Sequence, residues 1–195
     1  MLSYDESLKI LKSTNALLEG HFVLSSGLHS SQYIQCAKLL SKPQEAQLLC
    51  SSLAEKILKT FKKIDLVLSP AIGGIVVGYE IGRQLGVESI FAERVNKQLI
   101  LRRDFSIKPN TKVLIVEDVI TTGKSALECS DLIKINNGTL LGYSCIIDRT
   151  TEISLIKSNI ISQIKFNIKT YKENDLPDEL KKIEATKPGS RDLSK

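Results

Sequence analysis

The chain of 195 residues contains no tryptophan, a single methionine, two histidines and only 5% aromatic residues. Its four cysteines, Cys36, Cys50, Cys129 and Cys145, form no Cys-x-x-Cys pair. With His21 and His29 as the sole imidazoles, they assemble no zinc-ligand spacing and no disulfide framework. Isolated cysteines of this kind belong in the core of a protein kept in a reducing compartment. No apolar run approaches the ~18 residues of a membrane helix, so no membrane partner is expected. The opening residues Met1-Leu2-Ser3-Tyr4-Asp5-Glu6 carry acids where a signal peptide would carry positive charge, and a cytoplasmic protein is expected. Repeats, low-complexity segments and linkers are also lacking, which points to a single domain over residues 1–195.

What remains is an ordinary globular composition, 42% hydrophobic and 25% charged, with enough chain to bury a substantial core. The net charge of +5 is local rather than general. Of 27 Lys and Arg and 22 Asp and Glu, six and one fall between Arg94 and Lys112, so the rest of the chain balances at 21 of each. A nucleic-acid-binding surface is normally spread more widely. The expectation is a small anionic ligand and no nucleic acid.

Ser3 to Leu18 has helical spacing of apolar positions, ended by Gly20. Phe22-Val23-Leu24 and Tyr33-Ile34 flank a Ser-Ser-Gly turn and read as short strands of a hood over the core, formed mainly by residues 1–40. Pro43 suits a helix start, and Gln44 to Phe61 fits a long helix. A βαβ rhythm follows over a core of about residues 60–150. Strands are expected at Asp65–Ser69, Glu88–Ala92, Lys112–Glu117 and Thr139–Ile147, with helices at Gly74–Leu85 and Ser125–Asn136. That alternation predicts an α/β fold, an open and mostly parallel sheet flanked by helices on both faces. Past Ser154 the rhythm weakens; Ile160 to Ile168 suggests a further strand and Asp178 to Glu184 a short helix. Ligands of such sheets bind beyond the carboxyl ends of the strands.

The most informative stretch lies at one such end. Val113-Leu114-Ile115-Val116 reads as a buried strand, and the carboxylates of Glu117 and Asp118 stand where it ends. Val119-Ile120-Thr121-Thr122-Gly123-Lys124-Ser125 then turns into a helix. Free backbone N–H groups in a hydroxyl- and glycine-rich turn, placed at a helix N-terminus, suit a phosphate. Acids just upstream can accept hydrogen bonds from vicinal hydroxyls, and unpaired charges at a buried strand end need such a reason. Together these are the parts of a sugar-phosphate site.

The run Glu117 to Ser125 resembles the signature of the type I phosphoribosyltransferases, which use 5-phosphoribosyl-1-diphosphate (PRPP), and its wording is closest to the orotate branch. The resemblance covers about residues 15–150 and implies that family's open sheet with a small N-terminal hood. It implies that Glu117 and Asp118 hold the ribose hydroxyls, and that Val119, Ile120, Thr121, Thr122, Gly123, Lys124 and Ser125 wrap the 5′-phosphate. Ser69-Pro70-Ala71-Ile72-Gly73-Gly74 resembles the diphosphate-binding loop, with Ala71, Ile72 and Gly73 at the ligand; many relatives carry a lysine where Gly73 stands. Phe91 to Arg103 resembles the mobile catalytic loop between two strands, shorter here and without its histidine. Arg94 matches the family's arginine and Lys97 supplies a second charge on the leaving diphosphate.

The same resemblance assigns the base pocket to Ser25, Tyr33, Thr121 and Arg149, with Tyr33 stacking on the pyrimidine and Arg149 pairing with the orotate carboxylate. Mg²⁺ would arrive with the diphosphate, with no metal site built by the protein. The activity implied is phosphoribosyl transfer from PRPP to orotate through an oxocarbenium-like transition state. A homodimer with loop residues shared across its interface is implied as well. His21 and His29 are expected to serve structure. Lys187-Pro188-Gly189-Ser190-Arg191 matches a tail motif of one bacterial branch, and Ser154 to Thr186 matches little in the family. Two other readings keep the PRPP site. A purine phosphoribosyltransferase leaves Arg149 without a carboxylate, and a PRPP-sensing regulator that binds nucleic acid lacks a helix-turn-helix extension.

Overall fold

A computed structural model of the chain describes residues 1–24, 26–152 and 154–188. Ser3 opens helix α1 (Tyr4–Ser13) with a capping box: its hydroxyl accepts from the Glu6 N–H at 3.2 Å while its own N–H donates to the Glu6 carboxylate at 2.8 Å. The helix ends five residues sooner than the spacing predicts. Thr14 turns its hydroxyl back onto the Ile10 carbonyl at 2.7 Å, and Asn15 takes a left-handed φ of 55°. Leu17 and Leu18 therefore enter strand β1 (Leu17–Val23), paired antiparallel with β2 (His29–Ile34). A short helix α2 (Cys36–Leu40), absent from the sequence reading, leads to α3 (Pro43–Thr60), which starts with proline in its first turn as expected.

The main sheet contains β3 (Leu66–Pro70), β4 (Glu88–Val95), β5 (Gln98–Leu101), β6 (Lys112–Ile120), β7 (Thr139–Asp148) and β8 (Ile160–Lys165), in the order β5-β4-β3-β6-β7-β8. All neighbours are parallel except β4 and β5. Helix α4 (Gly73–Leu85) joins β3 to β4, and α5 (Lys124–Ile135) joins β6 to β7. Period-two alternation divides the core. On β6, Leu114 and Val116 face the layer of α1, α3 and α4, while Val113 and Ile115 face α5. Gly78 and Gly82 let α4 sit close on the sheet, because a Cβ at these positions would lie 2.1 Å from Ser69 Oγ and 2.8 Å from Ser89 Cβ.

Strand order reverses between β3 and β6: the chain winds from β3 outward to β5 on one side and from β6 outward to β8 on the other. The turns after β3 and β6 therefore open into one crevice, the switch point at which open α/β sheets bind ligands. Over this end lies the hood, a second sheet of β1, β2 and β9 (Thr170–Tyr171). Residues 170–186 complete it: Val23 N–H donates to the Thr186 carbonyl at 2.8 Å and Thr186 N–H to the His21 carbonyl at 2.9 Å. The later part of the stretch without a family motif thus joins the hood, which was expected mainly from residues 1–40, while its earlier part supplies β8 of the main sheet. The last helix, α6 (Asp178–Lys181), is shorter than predicted. No helix among the described residues is long and apolar enough to cross a membrane.

Candidate active site

The acid pair sits inside β6 rather than at its end, since pairing with β7 continues to Ile120 and Asp148. Consecutive strand residues point to opposite faces, so the two carboxylates part. Glu117 turns toward α5, where the Ala126 backbone amide lies close enough to favour its charged form. Asp118 turns toward the start of α4, so close that a Cβ on Gly73 would lie 2.9 Å from its Oδ1. The Val119 N–H donates to that same oxygen at 2.9 Å. Among the described residues neither carboxylate has an ion-pair partner. Burial, with the Asp118 charge adding to it, pushes Glu117 up to about 8; burial raises Asp118 too, against its hydrogen bonds.

The turn Thr121–Gly123 follows. Gly123 takes a left-handed φ of 78° as the N-cap of α5 and has no side chain to cap it; the Thr122 hydroxyl accepts from the Lys124 N–H at 3.4 Å. The first amides of a 12-residue helix thus face the crevice, with the exposed Thr121, Thr122 and Lys124 around them and Ser125 half-buried. This turn is braced from beneath by a segment whose role the sequence does not announce. A Cβ on Gly123 would lie 2.6 Å from Ile156 Cγ1, the Leu155 N–H donates to the Thr122 carbonyl at 2.9 Å, and the Arg149 N–H donates to the Ile120 carbonyl at 2.8 Å. One faint signal existed: Leu155 and Ile156 are adjacent apolar residues in an otherwise polar run, and Ile156 is buried.

Across the crevice, Ala71 and the exposed Ile72 and Gly73 form the turn after β3. The Ala71–Ile72 peptide is cis, and the Ala71 N–H donates to the Ala92 carbonyl at 2.8 Å. At the hood side, Tyr33 and Arg149 come together. Burial pulls the Arg149 guanidinium down while the Tyr33 hydroxyl opposes it, and Arg149 Nε is buried without a partner. Tyr33 also rests on Phe22, ring centroids 5.8 Å apart. His21 and His29 are structural here, as expected: His21 Nε2 lies 2.7 Å from His29 Nδ1, and its Nδ1 lies 2.9 Å from the Ile183 carbonyl. The expected base-pocket residue Ser25 and tail residues Gly189, Ser190 and Arg191 lie outside the described residues.

The basic segment departs from expectation. Instead of a loop, residues 91–101 form the β4–β5 hairpin, turned at Asn96 and Lys97, both with left-handed φ (48° and 69°) as a type I′ turn requires. Arg94, on β4, does not point at the acid pair: Nη2 pairs with Glu128 Oε2 at 2.6 Å and Nη1 donates to the Lys97 carbonyl at 2.7 Å. Arg102 and Arg103 both pair with Glu93, and Arg103 lies over the Phe91 ring. Half of the local cationic excess is therefore matched within the hairpin and α5. Lys97, Lys108 and Lys112 have no ion pair among the described residues. A cavity of about 520 Å³ lined by Asp65, Glu88, Asp104 and Lys108 lies at the other end of β3 and β4, away from the crevice.

The model of the phosphoribosyl transferase domain matches residues 37–175. The chain is 45% identical over 192 residues to the orotate phosphoribosyltransferase of Methylorubrum extorquens (strain PA1), covering 98% of each. It is 40% identical over 188 residues to that of Erythrobacter litoralis (strain HTCC2594), covering 96% of this chain and 97% of that one. Among solved structures, orotate phosphoribosyltransferase from Aeropyrum pernix superposes with a TM-score of 0.71 at 25% identity, over 81% of this chain and 92% of that one.

Proposed function

Since the chain belongs to the phosphoribosyltransferase family and, within it, to the orotate phosphoribosyltransferases, we propose that its crevice divides PRPP and orotate between the β6–α5 turn, the β3–α4 turn and the hood. The reaction joins orotate to C1′ of the phosphoribosyl group and releases diphosphate, forming orotidine 5′-monophosphate for pyrimidine synthesis. Glu117 and Asp118 accept the ribose 2′- and 3′-hydroxyls. Backbone amides and hydroxyls from Thr121 to Ser125, with Val119 and Ile120 behind them, take the 5′-phosphate. Ala71, Ile72 and Gly73 take the diphosphate. Arg149 forks onto the orotate carboxylate, for which a planar guanidinium is suited, while Tyr33 covers the ring and Thr121 stands between base and phosphate.

The observation that carries this reading is the adjacency of Gly73 and Asp118 at the switch point, which puts two anion-binding turns on either side of one acid pair. C1′ loses its diphosphate early, so no covalent nucleophile is required. The chain's contribution is to hold base and C1′ in line and to spread the leaving group's charge over Arg94 and Lys97. Among the described residues no three His, Cys, Asp or Glu converge on a metal. Mg²⁺ would arrive with PRPP, with Glu117 and Asp118 the residues beside it. When bound it neutralises part of the diphosphate charge.

An exposed apolar stripe, Ile72 (86% exposed), Val76 (49%) and Tyr79 (67%), runs along α4 from the edge of this crevice. A second copy of the chain covering it would give the homodimer that the resemblance implies. Light scattering after size-exclusion chromatography tests that; a monomer at micromolar concentration removes it.

The test of the activity follows orotate absorbance with PRPP and Mg²⁺, with uracil, hypoxanthine and adenine in parallel. Consumption of orotate alone is the expected result. Turnover of a purine would discard the roles given to Tyr33 and Arg149, and silence on all four bases with PRPP bound would discard the catalytic reading.

A further inference from the structure

Arg94 stands near the carboxyl end of β4, and Glu128 lies on α5, one turn beyond the phosphate turn at its N-terminus. Both terminal nitrogens of the guanidinium are occupied, Nη2 by Glu128 Oε2 at 2.6 Å and Nη1 by the Lys97 carbonyl at 2.7 Å. Cys129, next to Glu128 on α5 and raised mainly by burial, feels both Glu117 of the acid pair and the Arg94–Glu128 pair. Arg94 and Glu128 are both partly exposed, at 39% and 26%, so their contact is of the weak, exchangeable class. A guanidinium held this way cannot present the same N–H groups to a diphosphate.

We propose that Glu128 is a positioning residue: it parks Arg94 beside α5 in the ligand-free enzyme, and binding of PRPP exchanges the Glu128 carboxylate for the ligand's diphosphate on that arginine. The inference rests on the proposed role of Arg94 at the diphosphate. Parking keeps the arginine's charge within reach of the site and ordered by the β4–β5 turn. It also sets a carboxylate in competition with the incoming anion. Glu128 therefore weakens PRPP binding, and removing its charge while keeping its shape strengthens it.

The experiment is steady-state kinetics with PRPP varied, for Glu128→Gln, Glu128→Asp, Arg94→Ala and the double variant, at low and at high salt. Removing a competitor of this class should lower the PRPP KM about 2–5-fold in Glu128→Gln, a larger change than any in kcat. Glu128→Asp, which keeps the charge on a shorter arm, should fall between it and the wild type. The gain should shrink as salt rises and vanish when Arg94 is already alanine. An unchanged or raised KM in Glu128→Gln overturns the proposal, as does an equal fall with and without Arg94. Near-normal turnover by Arg94→Ala alone is a different failure, because it removes the reading on which the proposal stands.

Discussion

The two ends of the crevice are built on opposite plans. The proposed phosphate end comes mainly from one contiguous piece, the strand, glycine turn and helix from Lys112 to Ile135, braced from outside by Leu155 and Ile156. The base end is assembled from afar, with Tyr33 on β2, Arg149 after β7, and the hood strands closed by Thr170–Tyr171 and Thr186. On the proposed reading, sugar-phosphate recognition rests largely on backbone geometry that a short segment specifies. Base recognition would rest on long-range packing, so its loss should leave PRPP binding standing.

The sharpest way to break the local end is Gly123→Val. The side chain would meet both a left-handed backbone and the Ile156 side chain at 2.6 Å, a strain of about 2–4 kcal/mol. Thermal denaturation should show the lower stability and turnover should be lost with it; wild-type values for both would mean the turn is not braced as described. At the distant end, Arg149→Ala would remove the charge-assisted fork proposed for the orotate carboxylate, about 2–3 kcal/mol. Orotate kcat/KM should then drop by roughly 30- to 150-fold while PRPP affinity, measured by equilibrium binding, stays near wild type. A parallel loss of PRPP binding would erase the contrast between the two ends.

A different effect belongs to Glu117 and is read in stability. Its folded value near 8 lies above its ordinary 4.5, so the native state keeps a proton that the unfolded chain has lost. That favourable contribution is complete below about pH 4.5 and is lost as pH rises through about 8. Ligand-free enzyme should lose stability across this window, by about 1.4 kcal/mol per pH unit at most, and Glu117→Gln should flatten the slope. Urea titrations at pH 5, 6.5 and 8 measure it, and a wild-type slope no steeper than the variant's contradicts the raised acid. Least of all, His21→Ala removes the contacts to His29 and Ile183, at about 1–2 kcal/mol. Orotate KM should rise a few-fold with PRPP KM unmoved; an equal rise in both would show that the hood also serves the phosphate end.

Legibility in the sequence follows the same division. The β6–α5 signature, the β3–α4 turn and the parallel alternation were readable because each is encoded by neighbours in the chain. Burial along β6 shows why the strand end was misplaced: Val119 and Ile120 are apolar enough to continue pairing past the acids. The early end of α1 was hidden because Leu17 and Leu18 fit a helical face as well as a strand. The hairpin partner of Arg94 could not be read, since Glu128 lies 34 residues away and nothing local selects it. Residues 154–186 were opaque for the same reason, for Ile156, Thr170 and Thr186 take their meaning only from Gly123, Ser30 and His21.

The closing strand of the hood also has a consequence for the order in which the enzyme matures on the ribosome. Ser30 on β2 pairs with Thr170 on β9, 140 residues later. At about 5–20 residues per second that interval is on the order of ten seconds of synthesis. Throughout it the β1–β2 hairpin waits with an open edge, and a lone hairpin is marginally stable in water. On the proposed reading the nascent chain completes its phosphate turn, braced by Ile156, before its hood is closed, and nascent chains released between Ile156 and Lys169 should hold the one without the other.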